Sequence, residues 1–118
     1  MSFVLFVAIL FMLIVLTTTP SDGEADLLAA KIVEARLGAC VQILPQMKSI
    51  YVWEGEVRRE GEHLLLIKTM PEKFDELSQF ITANHSYDMP EIVAIEAERV
   101  SEPYLRWVVE SGKWKMES

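Results

Sequence analysis

A chain of 118 residues has room for one hydrophobic core, and a 51% apolar, 25% charged composition is that of a globular domain. The formal net charge of −7 argues against a basic surface that tracks phosphates, so a nucleic-acid partner is not expected. The single cysteine, Cys40, has no intrachain partner, which suits a reducing, cytoplasmic setting. No CxxC, HExxH, GxGxxG or GxxxxGK[ST] motif occurs.

The chain opens on an unbroken apolar run, Phe3 to Leu16, shorter than the ~20 residues a spanning helix needs. Met1-Ser2 supplies no basic leader, and no small-residue cleavage site follows. Met12 begins MLIVLTTTPS, a complete strand start. Residues 1–11 are therefore expected to be an appendage and Met12 a natural start, with a signal-like or membrane-associating segment as the alternative. The domain proper is expected over 12–112, with a tail over 113–118.

Met12 to Thr17, uniformly apolar, reads as a strand buried on both faces. Ser21-Asp22-Gly23-Glu24 has the form of a capping box opening a helix from about Asp22 to Leu37. Ala25, Leu28, Ala29, Ile32 and Val33 form its apolar stripe, and Gly38 stands where a left-handed cap belongs. Ala39 to Leu44 is a strand, broken by a bend or bulge at Pro45, and SIYVWEGEV continues it. Arg58-Arg59-Glu60-Gly61-Glu62 reads as the charged turn of a hairpin that returns through Leu64 to Ile67. Pro71 opens a second helix with Phe74, Leu77 and Ile81 on its inner face. After the loop from Asn84 to Pro90 come a strand over Glu91 to Ala97 and a short helix from Ser101 to about Glu110, with Tyr104, Leu105 and Trp107 as its large contacts.

This β-α-β-β-α-β order plus a C-terminal helix predicts an α+β, ferredoxin-like sandwich with a long bent hairpin and the helices on one sheet face. Such a fold hosts many activities.

Specific blocks narrow the choice. Leu37-Gly38-Ala39-Cys40-Val41, Ile50-Tyr51-Val52-Trp53-Glu54-Gly55-Glu56-Val57, Leu66-Ile67-Lys68-Thr69, His85-Ser86-Tyr87-Asp88-Met89-Pro90-Glu91-Ile92 and Tyr104-Leu105-Arg106-Trp107 resemble, in order and spacing, the CutA divalent-cation tolerance family. The resemblance implies a homotrimer concerned with tolerance of divalent metal ions, usually copper, with no established enzymatic reaction and no organic cofactor. Aromatic residues on the hairpin arm (Tyr51, Trp53) and Val57 suit an interface between copies.

His85, in the loop matching the family's His-Pro-Tyr-x-x-Pro-Glu motif, is the candidate metal ligand, since imidazole suits copper and similar ions. The competing reading is a histidine that hydrogen-bonds to hold the loop. Asn84 rules out a histidine pair, Ser86 replaces the family's proline, and Thr17-Thr18-Thr19 stands where some members carry a cysteine. Cys40 reads as a small core residue, and His63 as solvated. Lys68 interrupts an apolar run, so its burial calls for a partner such as Glu91 or Glu54. Tyr51, Trp53, Lys68, Tyr87 and Glu91 are expected to line a cleft between subunits. A second function follows from that cleft: a small-ligand sensor similar in architecture to PII-type trimers, holding an anionic metabolite through Lys68. Acylphosphatase-like catalysis lacks its arginine and phosphate loop after the first strand, so no enzyme is expected.

Overall fold

The computed structural model describes residues 11–113. The expected appendage over 1–11 lies outside them except for Phe11, which packs against the core, and the expected tail lies outside them except for Lys113. Five strands and three α-helices follow in order: β1 (Met12–Thr19), α1 (Asp22–Glu34), β2 (Cys40–Ile43), β3 (Met47–Trp53), β4 (Glu56–Thr69), α2 (Phe74–Ala83), β5 (Val93–Ala97) and α3 (Glu102–Ser111). A short 3-10 turn, Pro71–Lys73, leads into α2, so Pro71 precedes the α-helix instead of opening it.

The sheet runs β2-β4-β1-β5, with β3 pairing the outer half of β4. Both crossovers skip a strand, which is the ferredoxin-like arrangement. β2 and β3 act as one strand. Ile43 lies opposite Leu65 and Met47 opposite Glu62, so their side of the ladder carries one residue more than β4 across the Pro45 bend. That is a β-bulge, placed where proline leaves the ladder without a donor.

β1 is the central strand, paired with β4 on one side and β5 on the other. Its alternation sorts the core into two layers. Val15 packs with Leu65, Ile67, Leu28, Ile32, Leu77 and Ile81 under α1 and α2. On the opposite face Met12, Met70 and Val108 form a smaller cluster with Ile14, Tyr104 and Leu105. Thus α3 lies on the other side of the sheet, where the sequence reading had all helices on one face. Trp107, 48% exposed, stays out of this cluster but lies against Tyr104 of the same helix, with ring centroids 5.6 Å apart.

Other expectations shift for local reasons. α1 stops at Glu34, and the left-handed residue that ends it is Arg36 (φ 62°), not Gly38. Gly38 is needed for space, because a Cβ there would meet Ile67 Cγ2 at 2.8 Å and Ile32 Cγ2 at 3.0 Å. The hairpin turns at Glu54-Gly55, both with positive φ, and not at the charged run 58–62. Strand β5 starts at Val93, two positions after Glu91.

With the turn so placed, β3 and the first half of β4 form an arm that helps stretch the described molecule to 55 Å. β1 reaches β4 only as far as His63, so among the described residues no strand pairs with residues 56–62 on that side. Ile50, Val52, Trp53 and Val57 are exposed along the arm, at 55%, 68%, 46% and 62%.

Candidate functional site

The loop between α2 and β5 folds back onto the N-terminus of α1 and the end of β1. His85 is its anchor. Its side chain is fully buried, Nε2 donates to the Thr18 carbonyl at 2.7 Å, and Nδ1 accepts from the Tyr87 amide at 3.0 Å. These two partners select the Nε2–H tautomer, since a carbonyl can only accept and an amide N–H can only donate. Glu24 Oε2 stands 3.6 Å from Nδ1.

Glu24 carries half of the capping box. Its amide donates to Ser21 Oγ at 3.1 Å, as expected. Its carboxylate does not reach back to Ser21 but takes the Ser86 amide at 3.0 Å and Ser86 Oγ at 2.9 Å. The residue standing in place of the family's proline thus ties the His85 loop to α1.

One step along the sheet, Tyr87 OH donates to Glu62 Oε2 at 2.9 Å and Thr18 Oγ1 donates to the same oxygen at 3.3 Å. Glu62 is 8% exposed, a carboxylate buried with neutral hydroxyls as its donors. Burial, together with the bond to Glu62, pushes the Tyr87 phenol well above its ordinary value. Tyr51 OH donates to Glu60 at 2.6 Å, a bond that raises the Tyr51 pKa above its ordinary value although Tyr51 is exposed.

The five residues expected to form one cleft fall in separate places within a single chain. Tyr51 and Tyr87 lie on one sheet face, joined to the neighbouring β4 carboxylates Glu60 and Glu62. Trp53 is near the arm's tip, opposite Glu56. Glu91 is exposed in the loop before β5. Lys68 finds neither Glu91 nor Glu54. Its Nζ reaches Tyr104 OH at 3.4 Å and sits 5.5 Å from the centre of that ring, with α3 covering it.

Cys40 is half-buried on edge strand β2, opposite Lys68, and so is not a core residue. His63 is not simply solvated: it is half-buried and its Nδ1 lies 3.1 Å from the Leu44 carbonyl. Thr17 and Thr19 face α1 and α2, Thr19 donating to the Ser21 carbonyl at 3.0 Å, so the end of β1 offers hydroxyls and no thiolate. Among the described residues no three His, Cys, Asp or Glu side chains stand together as a metal centre. The pair His85 and Glu24 is the nearest approach, and by itself it is too few ligands for a metal site.

A family model for the CutA1 divalent ion tolerance protein matches residues 13–111, from β1 to the end of α3. The chain belongs to the CutA1 family. The divalent-cation tolerance protein CutA of Thermus thermophilus is 44% identical over 98 residues, covering 83% of this chain and 95% of that protein. The chloroplastic protein CutA of Arabidopsis thaliana is 39% identical over 101 residues, 86% of this chain but 56% of its own length. This chain therefore spans about half of that plant relative. The crystal structure of CutA1 from Oryza sativa superposes with a TM-score of 0.85 at 37% identity, covering 92% of this chain and 97% of that one.

In this CutA1 chain the sequence reading missed Glu24, Thr18 and Glu62. Glu62 carried a signal. At an even spacing from Leu64 and Leu66 it shares their sheet face, so a strand continuing through it would bury a carboxylate beside β1.

Proposed function

We propose that this chain acts in tolerance of divalent metal ions, copper among them, as a homotrimer that binds the ion and does not catalyse a reaction. The observation that carries this reading is the CutA1 family match from β1 through α3. Trimerisation is supported by the arm, whose exposed apolar side chains and β4 edge have no cover among the described residues. The same assembly is what would bring Tyr51, Trp53, Lys68, Tyr87 and Glu91 around a common cleft.

His85 is the imidazole we assign to the metal. Both its nitrogens are engaged, so an ion must displace either the Thr18 carbonyl or the Tyr87 amide, and a neighbouring copy must complete the ligand set. A cytoplasmic location is part of this proposal; among the described residues no helix is long and apolar enough to cross a membrane.

Calorimetric titration with Cu(II), of wild type and His85→Ala, with mass by light scattering, tests both halves. The expected result is a trimer that binds about one copper per subunit, with binding lost in the variant. Binding that ignores the substitution removes His85 from the site.

One observation favours the second reading, a PII-like sensor of small anionic ligands. Lys68 is half-buried with a phenol beside it and, among the described residues, no carboxylate within ion-pair distance. A trimer that binds no copper and responds to anionic metabolites through Lys68 would select it.

A further inference from the structure

At the base of the arm, on the face opposite Tyr51 and Glu62, lies an open hollow of about 410 Å³. Its floor is Gly61. The Gln46 side chain occupies the space that a Cβ at position 61 would take, so the amide lies directly against the strand. Alternation along the paired strands puts Lys48, opposite Gly61, and Arg59, opposite Ile50, on this same face.

Both cations are exposed, and neither has a carboxylate within ion-pair distance among the described residues. In a protein of net charge −7, these two neighbouring cations flank a concave floor with no carboxylate to offset them. The acidic residue of the rim, Glu60, is turned away: Tyr51 holds its carboxylate on the other face at 2.6 Å. What remains in the hollow is an ammonium, a guanidinium and an amide that can donate.

We propose that the Gln46–Lys48–Arg59 hollow over Gly61 is a binding site for a small anion bearing phosphate or carboxylate groups. The guanidinium supplies a planar pair of donors, the ammonium a point charge, and the Gln46 amide over Gly61 a neutral donor. The volume is that of a small-ligand site, and its floor exists because residue 61 has no side chain. The inference is independent of the metal reading, which rests on His85 and Glu24 at the end of β1 and the start of α1.

The test is calorimetric titration of the full-length protein with inorganic phosphate at low ionic strength, then with citrate as competitor. Wild type is expected to bind phosphate saturably. Lys48→Gln and Arg59→Gln are each expected to weaken binding about tenfold, the loss of one charge-assisted contact. Gly61→Ala, which forces the Gln46 amide out, is expected to weaken it as well, with circular dichroism confirming that the variant is folded. Arg99→Gln, an exposed cation away from the hollow, should bind as wild type does. Displacement by citrate puts both anions in the same place, and the tighter of the two identifies the natural group. Absence of saturable binding, equal binding in the Lys48 and Arg59 variants, or an equal loss in Arg99→Gln overturns the proposal. If wild type binds no anion and Lys48→Glu with Arg59→Glu changes the assembly mass, the hollow is a contact between copies instead.

Discussion

At Glu24 the amide and the carboxylate serve different elements. The amide completes the cap of α1, while the carboxylate holds Ser86 and lies close to His85. Local pattern reading finds the first because Ser21 and Glu24 are three residues apart. It misses the second because Ser86 is 62 residues away. Gly38 is a similar case: its position after a helix suggested a cap, but its role is close packing against two buried isoleucines. Gly38→Ala should destabilise the fold by about 1–3 kcal/mol in urea unfolding, since Ile32 and Ile67 are fully buried and cannot yield. Tyr87→Phe removes one hydroxyl donor from the buried Glu62 carboxylate and should cost about 1–3 kcal/mol by the same measurement. The sequence identified His85 and Tyr87 as residues of interest through the motif around them; of the carboxylates that organise them, Glu24 was legible only as a helix cap and Glu62 was hidden in a charged run.

At the scale of elements, the arm is where pattern and structure part. Five polar residues with a glycine resemble a turn, yet 58–62 is regular strand: residues 59–61 are exposed along the arm and need no apolar alternation, and the strand buries its carboxylate at Glu62. The true turn, Glu54-Gly55, is written in a shorter signal: two residues with positive φ, of which one is glycine. Glu54 pays strain there, and its ion pair with Arg58 is long at 3.9 Å and exposed. Glu54→Asn should therefore stabilise the protein by about 0.4–1 kcal/mol, seen as a higher urea midpoint with an unchanged slope. The order of elements, the central place of β1, the inner faces of α1 and α2 and the bend at Pro45 were all legible, since each follows from periodicity or from a residue with one conformational meaning. The side of the sheet that α3 covers was not, because a short amphipathic helix at the end of a chain carries no record of which face it will meet.

At the scale of the molecule, phenol titration links the Tyr87 contact to overall stability. The unfolded phenol releases its proton near 10.0, whereas the folded one holds it to higher pH. Below that value both states carry the proton and the stabilisation is complete. Above it the unfolded chain has lost a proton that the folded chain keeps, so stability falls as pH rises. Alkaline denaturation should show this decline, and Tyr87→Phe should flatten it. The arm sets a second molecular property. Val52→Asp with Val57→Asp should lower the mass seen by light scattering while leaving the far-ultraviolet dichroism of the body intact, since both side chains are exposed within one chain.

The edge of β4 over residues 56–62, unpaired among the described residues, bears on what would happen if the copies of the proposed trimer separated. An isolated copy would present a row of open amides and carbonyls beside bare valines, a template on which any extended chain can grow. Separation would then be hard to reverse: dilution or mild denaturant would yield cloudy suspensions sooner than clear solutions of single chains. For the proposed trimer, remaining assembled would be a condition of remaining dissolved.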